Sequence, residues 1–291
     1  MNKKRLSVGY VYLYNYFLDD YIIKALEKKL NVIKIPFKEE TDFDELKQLT
    51  KNCKVVVNYS VSADNVMESL EISKALEELG KKVINSSHSF LYQEDKWMLY
   101  LKCLEHKIPT ARTFLVARGT RRGSKFIKDF LKSHKVVLKA VYSDCGRCVE
   151  RVDNYSSFIA KLHKIVKKNP ISPIIAQEFI PNDSRGYRVT VINNKVIQAV
   201  VKIGTRWKTT GDSDAEHYRT IKLTKSEKEM CEKTSKILGM GICGLDLVRN
   251  NGKLYIIEAN SCPGLNWIDK DFPRLIESIA NYIYSVCKKY S

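Results

Sequence analysis

Ile242-Cys243-Gly244-Leu245-Asp246-Leu247-Val248 is an apolar run with one acid inside it, and after the turn Asn250-Asn251-Gly252-Lys253 a second run follows, Leu254-Tyr255-Ile256-Ile257, closed by Glu258-Ala259-Asn260. Asn-Gly between two apolar, β-branched segments is a strong short-range hairpin signal, so the two runs are expected to pair as antiparallel strands that hold Asp246 and Glu258 close together. An acid near a turn is ordinarily a solvated surface charge. Here apolar residues flank both acids, and a charge inside a buried strand needs a partner or a metal. Two carboxylates and the Asn260 amide are hard oxygen ligands suited to Mg²⁺ or Mn²⁺. Magnesium held by one or two carboxylates takes its remaining ligands from water and substrate phosphates, so a nucleotide site is the first expectation.

The rest of the composition bounds the reading. With 291 residues and 44% hydrophobic content, the chain is long enough for two or three α/β subdomains with cores of their own. No apolar run approaches the roughly 20 residues of a membrane span. Met1-Asn2-Lys3-Lys4-Arg5 leads into a strand-like segment rather than a signal sequence, and a cytoplasmic protein is expected. The eight cysteines are scattered through apolar or mixed segments, as reduced thiols would be. Cys145-Gly146-Arg147-Cys148 is a lone C-x-x-C with no second pair and no nearby His pattern, a weak signal for zinc or redox chemistry. Fifty Lys and Arg against 33 Asp and Glu leave a net charge of +17, which attracts anions of several kinds: nucleotides, acidic small molecules, an acidic carrier protein. The lysines are spread along the chain and the 16 tyrosines form no RNA-binding signature, so nucleic acid is the weaker partner.

Alternation of apolar patterns organises the first 85 residues. Strands are expected at Leu6 to Tyr12, Val32 to Ile35, Val55 to Asn58 and Lys82 to Asn85, with helices at Leu18 to Leu30, Asp44 to Lys51 and Asn65 to Leu79. Such βαβ alternation implies a small parallel sheet, and no G-x-G-x-x-G dinucleotide fingerprint accompanies it. One helix is expected from Ser89 to about Thr110. Strands then follow at Thr113 to Val116, Val136 to Lys139, Val149 to Val152 and Ile174 to Ile180, interleaved with a helix ending at Ser133 and another from Tyr155 to Val166. A hairpin of Arg188 to Ile192 and Val196 to Ile203 comes next, then a long polar segment from Gly204 to Tyr218. Helices at Lys225 to Leu238 and Arg274 to Lys289 bracket the Asp246 and Glu258 strands.

Taken in order, Asp95-Lys96 on a helix, Lys139 ending a strand before a loop, Gln177-Glu178-Phe179-Ile180 ending another, Arg188 on a hairpin, then Asp246 and Glu258-x-Asn260-x-x-Pro263-Gly264 resemble the ATP-grasp superfamily, and within it the RimK-like amino-acid ligases. The likeness runs from about Lys74 to the C-terminus. It implies a mixed α/β and α+β architecture: an N-terminal βαβ (pre-ATP-grasp) domain over 1–88, a central ATP-grasp subdomain over 89–180 and a C-terminal subdomain over 181–291 carrying the metal site.

The same resemblance implies an ADP-forming ligase that activates a carboxylate as an acyl phosphate, which an amine then attacks. ATP would lie between the two ATP-grasp subdomains, its phosphates met by Lys96, Lys139 and the Gly146 loop, its adenine by Gln177, Glu178, Phe179 and Ile180. Asp246, Glu258 and Asn260 would hold Mg²⁺ or Mn²⁺. Arg188 would clamp the acyl phosphate, and Lys208, in Arg206-Trp207-Lys208-Thr209-Thr210, would face the acceptor or the acyl phosphate. In a chain this lysine-rich, a solvated surface position is the ordinary assignment for any single lysine without that frame. The loop Ser143-Asp144-Cys145-Gly146-Arg147-Cys148 carries fewer glycines than is usual in the family, and Arg147 supplies charge in their place. Tyr142 to Arg147 and Gly204 to Asp214 are the candidate closing loops. Substrates by this reading are an amino acid, glutamate or another acidic one, and a carboxylate acceptor. The alternatives are a ligase acting on an acidic carrier protein, as in lysine biosynthesis, and a catalytically weak nucleotide-binding protein. Relatives are often homo-oligomers, although nothing in the chain marks an interface.

Overall fold

Short β-branched strands connected by helices pair in parallel, because each crossover returns the chain to the same end of the sheet. The computed structural model describes residues 5–12, 17–36, 42–59, 66–117, 125–143, 146–205, 207–208 and 215–291. In its first part, β1 (Ser7–Tyr12), α1 (Phe17–Glu27), β2 (Asn31–Pro36), α2 (Phe43–Thr50), β3 (Val55–Asn58), α3 (Val66–Glu78) and β4 (Lys82–Ile84) build a parallel sheet in the order β2-β1-β3-β4. These elements match the expected ones to within a few residues at each end.

The helix expected from Ser89 to Thr110 is instead two, α4 (Ser87–Glu94) and α5 (Lys96–Glu105). Asp95 causes the break. Its backbone is extended, with φ −97° and ψ 93°, and its carboxylate accepts from the amides of Trp97 and Met98, both at 2.9 Å. An Asp side chain that satisfies two otherwise orphaned amides favours a new helix start over a continued turn. The consequence is local and important: Lys96 becomes the first residue of α5 and is buried.

Two antiparallel sheets follow. In the first, β5 (Thr113–Val116), α6 (Lys125–Ser133), β6 (Val136–Ala140), β7 (Val149–Val152), α7 (Tyr155–Lys168) and β8 (Ile174–Glu178) give the strand order β5-β8-β6-β7. The expected strand to Ile180 ends at Glu178, leaving Phe179 and Ile180 beyond it. In the second, β9 (Arg185–Ile192), β10 (Lys195–Gly204), β11 (Ala215–Thr220), α8 (Lys225–Ile237), β12 (Ile242–Asn250) and β13 (Lys253–Asn260) give the order β11-β10-β9-β12-β13. Strand β11 was not expected. Its sequence Ala-Glu-His-Tyr-Arg-Thr lacks an apolar alternation, and it is an edge strand paired only with β10.

The last helix, α9 (Phe272–Tyr290), turns back. Its Leu275, Ile279 and Ile283 share one core with Val8, Tyr10 and Val57 of the parallel sheet and with Ile192 and Ile242 of the last sheet. On the other face of that sheet Val189, Val191, Leu245, Leu247 and Ile256 are buried, in one cluster with Cys231 of α8. Strand alternation therefore turns Arg188 and Asp246 away from that core. Among the described residues the cysteines are free thiols, and no helix is long and apolar enough to cross a membrane.

Candidate active site

The β12–β13 register sets Asp246 directly opposite Glu258, as the turn residues imply: Asn251 and Gly252 both adopt positive φ, 48° and 74°, the backbone that a tight hairpin of matching twist requires. Beyond the pair, Asn260 donates from Nδ2 to Asp246 Oδ2 at 3.2 Å. A third strand completes the group. β9 lies against β12 with Arg188 opposite Asp246, and the guanidinium meets the carboxylate through two bonds, Nε to Oδ1 at 2.5 Å and Nη2 to Oδ2 at 2.7 Å. Burial lifts the Asp246 carboxyl above its ordinary range, with Arg188 pulling against that lift and Glu258 adding to it.

Behind these strands the segment 261–264 is clamped from the N-terminal half of the chain. Gln93 Oε1 accepts from both the amide and the hydroxyl of Ser261, at 2.7 and 2.8 Å. Asn85 donates to the carbonyls of Ile242 and Ser261, and Tyr59 donates to that of Pro263. Pro263 sits so close to β12 that a Cβ at Gly244 would lie 2.5 Å from its Cβ. Only glycine allows that approach. None of these supports was visible in the sequence, because each joins positions far apart in the chain.

The lysines converge on the same place. Lys96 Nζ lies 4.0 Å from Glu258 Oε1 and donates to the carbonyls of Val141, at 3.5 Å, and Ser143. Lys139, on β6, is only 7% exposed. Burial pushes its ammonium down to about 8, Glu258 and Asp246 holding it up while Lys96 and Lys208 push it further down. Lys208 donates to the carbonyl of Gly146. Two of the three cations thus hold main-chain carbonyls of the loop after β6. Tyr142 in that loop donates to Asp95 Oδ2 at 3.1 Å.

Between the two antiparallel sheets lies a solvent-open cleft of about 450 Å³, its mouth included. Val137, Lys139 and Gln177 face it from the first sheet, Val248 and Ile257 from the hairpin of the second, and Glu178, Phe179 and Ile180 from the end of β8. Gln177 is tied to Thr113 Oγ1 at 3.1 Å. Trp207, in the segment expected to face the acceptor or the acyl phosphate, lines this cleft and meets Phe179 edge to face, 5.8 Å between centroids at 83°. Asn182 fixes it by donating to its carbonyl at 2.9 Å, and Arg151 lies over both rings. An apolar, aromatic slot with Lys139 and Lys208 on its lining has the shape and charge for a flat heterocycle carrying phosphates. Asp144, Cys145, Arg206, Thr209 and Thr210, and most of the candidate closing loops with them, lie outside the described residues.

Among the described residues no three of His, Cys, Asp and Glu cluster as a self-sufficient metal site. Two carboxylates and an amide instead fit a cation that takes the rest of its shell from a phosphorylated ligand and water. Sequence reasoning missed Trp267, whose ring lies 5.1 Å from the Arg188 guanidinium. An aromatic just past the Pro263-Gly264 turn was its only signal.

An aromatic slot between two antiparallel sheets, with a lysine of its lining beside paired acids, is the arrangement of the ATP-grasp fold. D-alanine–D-alanine ligase from Bacillus anthracis complexed with ATP superposes with a TM-score of 0.73 at 14% identity, covering 99% of this chain and 100% of that one. A RimK domain ATP-grasp protein from Sphaerobacter thermophilus gives 0.70 at 14% identity, covering 95% and 98%. The RimK-like ATP-grasp domain matches residues 93–283, and the chain belongs to that family. Relatives include probable α-L-glutamate ligases of Histophilus somni, 27% identical over 197 residues, and Haemophilus influenzae, 28% identical over 197 residues. The alignments take in 64% and 66% of this chain, which spans a little under two thirds of those relatives, 62% and 63%.

Proposed function

We propose that this protein is an ATP-dependent, ADP-forming ligase that joins an amino acid, glutamate or another acidic one, to a carboxylate acceptor through an acyl phosphate. The observation that carries the reading is the convergence of Asp246, Glu258 and Asn260 with Lys96 and with Lys139, which lines an aromatic cleft.

By this reading Phe179, Ile180 and Trp207 pack around adenine, and Lys139, Lys96 and Lys208 meet phosphate oxygens. Asp246, Glu258 and Asn260 hold Mg²⁺ or Mn²⁺, which when bound neutralises charge on the phosphates. A substrate carboxylate displaces ADP from the γ-phosphorus. An unprotonated amine then adds to the acyl carbon, loses its proton and expels phosphate. By the same reading Arg188 clamps the anionic acyl phosphate through its forked donors. Such chemistry depends on alignment and exclusion of water more than on a strong base. The relatives' name, probable α-L-glutamate ligase, supports glutamate as the amine.

The test is a coupled ADP-release screen pairing L-glutamate and other amino acids with a panel of carboxylic acids, products checked by mass. ADP in equal amount to a new amide is the expected result; nucleotide binding with no ADP from any pair rejects ligase activity. The +17 charge keeps one second reading, an acidic carrier protein supplying the carboxylate. Turnover only when a small acidic protein is added would establish it.

A further inference from the structure

The carboxylate assigned to the metal already has a cation. Both oxygens of Asp246 are taken by one guanidinium, at 2.5 and 2.7 Å, and Asn260 adds a third donor. The pair is no loose surface contact: the Arg188 and Asp246 side chains are 20% and 14% exposed, and sheet register holds them opposite each other. A divalent cation at bonding distance from those oxygens would be repelled by a guanidinium lying against both, and the two cations compete for the same carboxylate charge.

Trp267 gives Arg188 a second contact besides Asp246, made from the same position. Its ring lies 5.1 Å from the guanidinium carbon. The indole N–H donates to the Gly264 carbonyl at 2.6 Å, which fixes the ring, and a Cβ at Gly264 would come within 3.3 Å of Trp267 Cζ2. The ring also meets Tyr218, 5.2 Å between centroids. An aromatic face attracts a cation whether or not a carboxylate is near.

We propose that Arg188 and the metal ion are alternative partners of Asp246, so that metal binding frees the guanidinium, held beside Trp267, to act as the anion clamp. This rests on the reading of Asp246 as a metal ligand. It makes the clamp conditional: until a metal is seated, Arg188 is neutralised and unavailable to an anion. Trp267 is then a positioning residue, acting through Arg188.

The experiment titrates Mn²⁺, followed by its paramagnetic resonance, into the full chain without nucleotide, for the wild type, Arg188→Ala and Asp246→Asn, each shown folded by circular dichroism. Arg188→Ala should bind Mn²⁺ about tenfold more tightly than wild type, equivalent to ~1.4 kcal/mol. Asp246→Asn should bind more weakly than wild type. Where Arg188→Ala does not fold, Arg188→Gln should show the same direction with a gain of a few fold. Equal or weaker Mn²⁺ binding in the Arg188 variants, with Asp246→Asn still defective, overturns the competition and leaves the metal assignment standing. Unchanged binding in Asp246→Asn overturns both; where no form binds Mn²⁺ alone, the same ranking is required with AMP-PNP present, and its absence there overturns both. Trp267→Leu should lower turnover several-fold without changing the KM for ATP, and Trp267→Phe should restore it; wild-type turnover in the Leu variant removes Trp267 from the device.

Discussion

The two sheets that face the cleft differ in how far their charges are satisfied. On the first, Lys139 is buried with no carboxylate bonded to it among the described residues, and its ammonium is depressed to about 8. On the second, Asp246 is held by three donors from two side chains. A buried cation without a partner is costly and stays only where something arrives to complete it. In the proposed reading the first sheet receives an anion. The second is organised to keep its acids in register until a cation displaces what holds them.

The comparison breaks most visibly at Asp246. Asp246→Asn should cut ADP formation by about a thousandfold, some 4 kcal/mol of transition-state stabilisation, and the variant should still melt as a folded protein. Activity near wild type in a steady-state ADP assay would remove the carboxylate from the metal site.

On the other sheet the effect falls on binding. Lys139→Ala should weaken ATP by about ten- to hundredfold, the worth of roughly 1.5 to 3 kcal/mol for a bond to a charged group, read by calorimetry. Unchanged affinity would place the phosphates elsewhere.

The depressed ammonium adds a pH signature with a definite sign. A phosphate beside Lys139 favours its charged form, so ATP binding takes up a proton wherever the free site has lost one. Affinity should be flat below about 8, where the free side chain is already charged. Above that it should fall, reaching roughly tenfold weaker one pH unit higher. Lys139→Arg should abolish the dependence, and a wild-type profile that is flat or rises with pH would contradict the assignment.

The smallest effect is expected at the aromatic wall. Trp207→Ala removes the ring packed against Phe179 and should cost ATP affinity about three- to tenfold, roughly 0.5 to 1.5 kcal/mol, with no change in metal dependence. A loss of amino-acid affinity alone would move Trp207 to the acceptor side.

How much of this was legible follows from distance along the chain. The β12–β13 register could be read because Asn251-Gly252 dictates a tight turn and apolar residues on either side dictate strands. The same local logic placed the β9–β10 hairpin, where Asn193 and Asn194 both take positive φ, and the βαβ alternation of the first sheet. What stayed hidden was set by competition or by sheet order. Asp95 breaks a helix because its side chain outbids the next turn for two amides, a contest that apolar spacing does not report. Arg188 and Asp246 meet because β9 lies beside β12, across 58 residues of chain. The polar strand β11 exists only because β10 offers it an edge.

In the proposed reading a nucleotide in the cleft directs its phosphates to a metal held by Asp246 and Glu258. Calorimetric titration of the non-hydrolysable ATP analogue AMP-PNP, with and without Mg²⁺, into the wild type and Asp246→Asn tests it most directly. Magnesium should strengthen binding to the wild type and do little for the variant. An equal magnesium effect in both proteins would contradict the account.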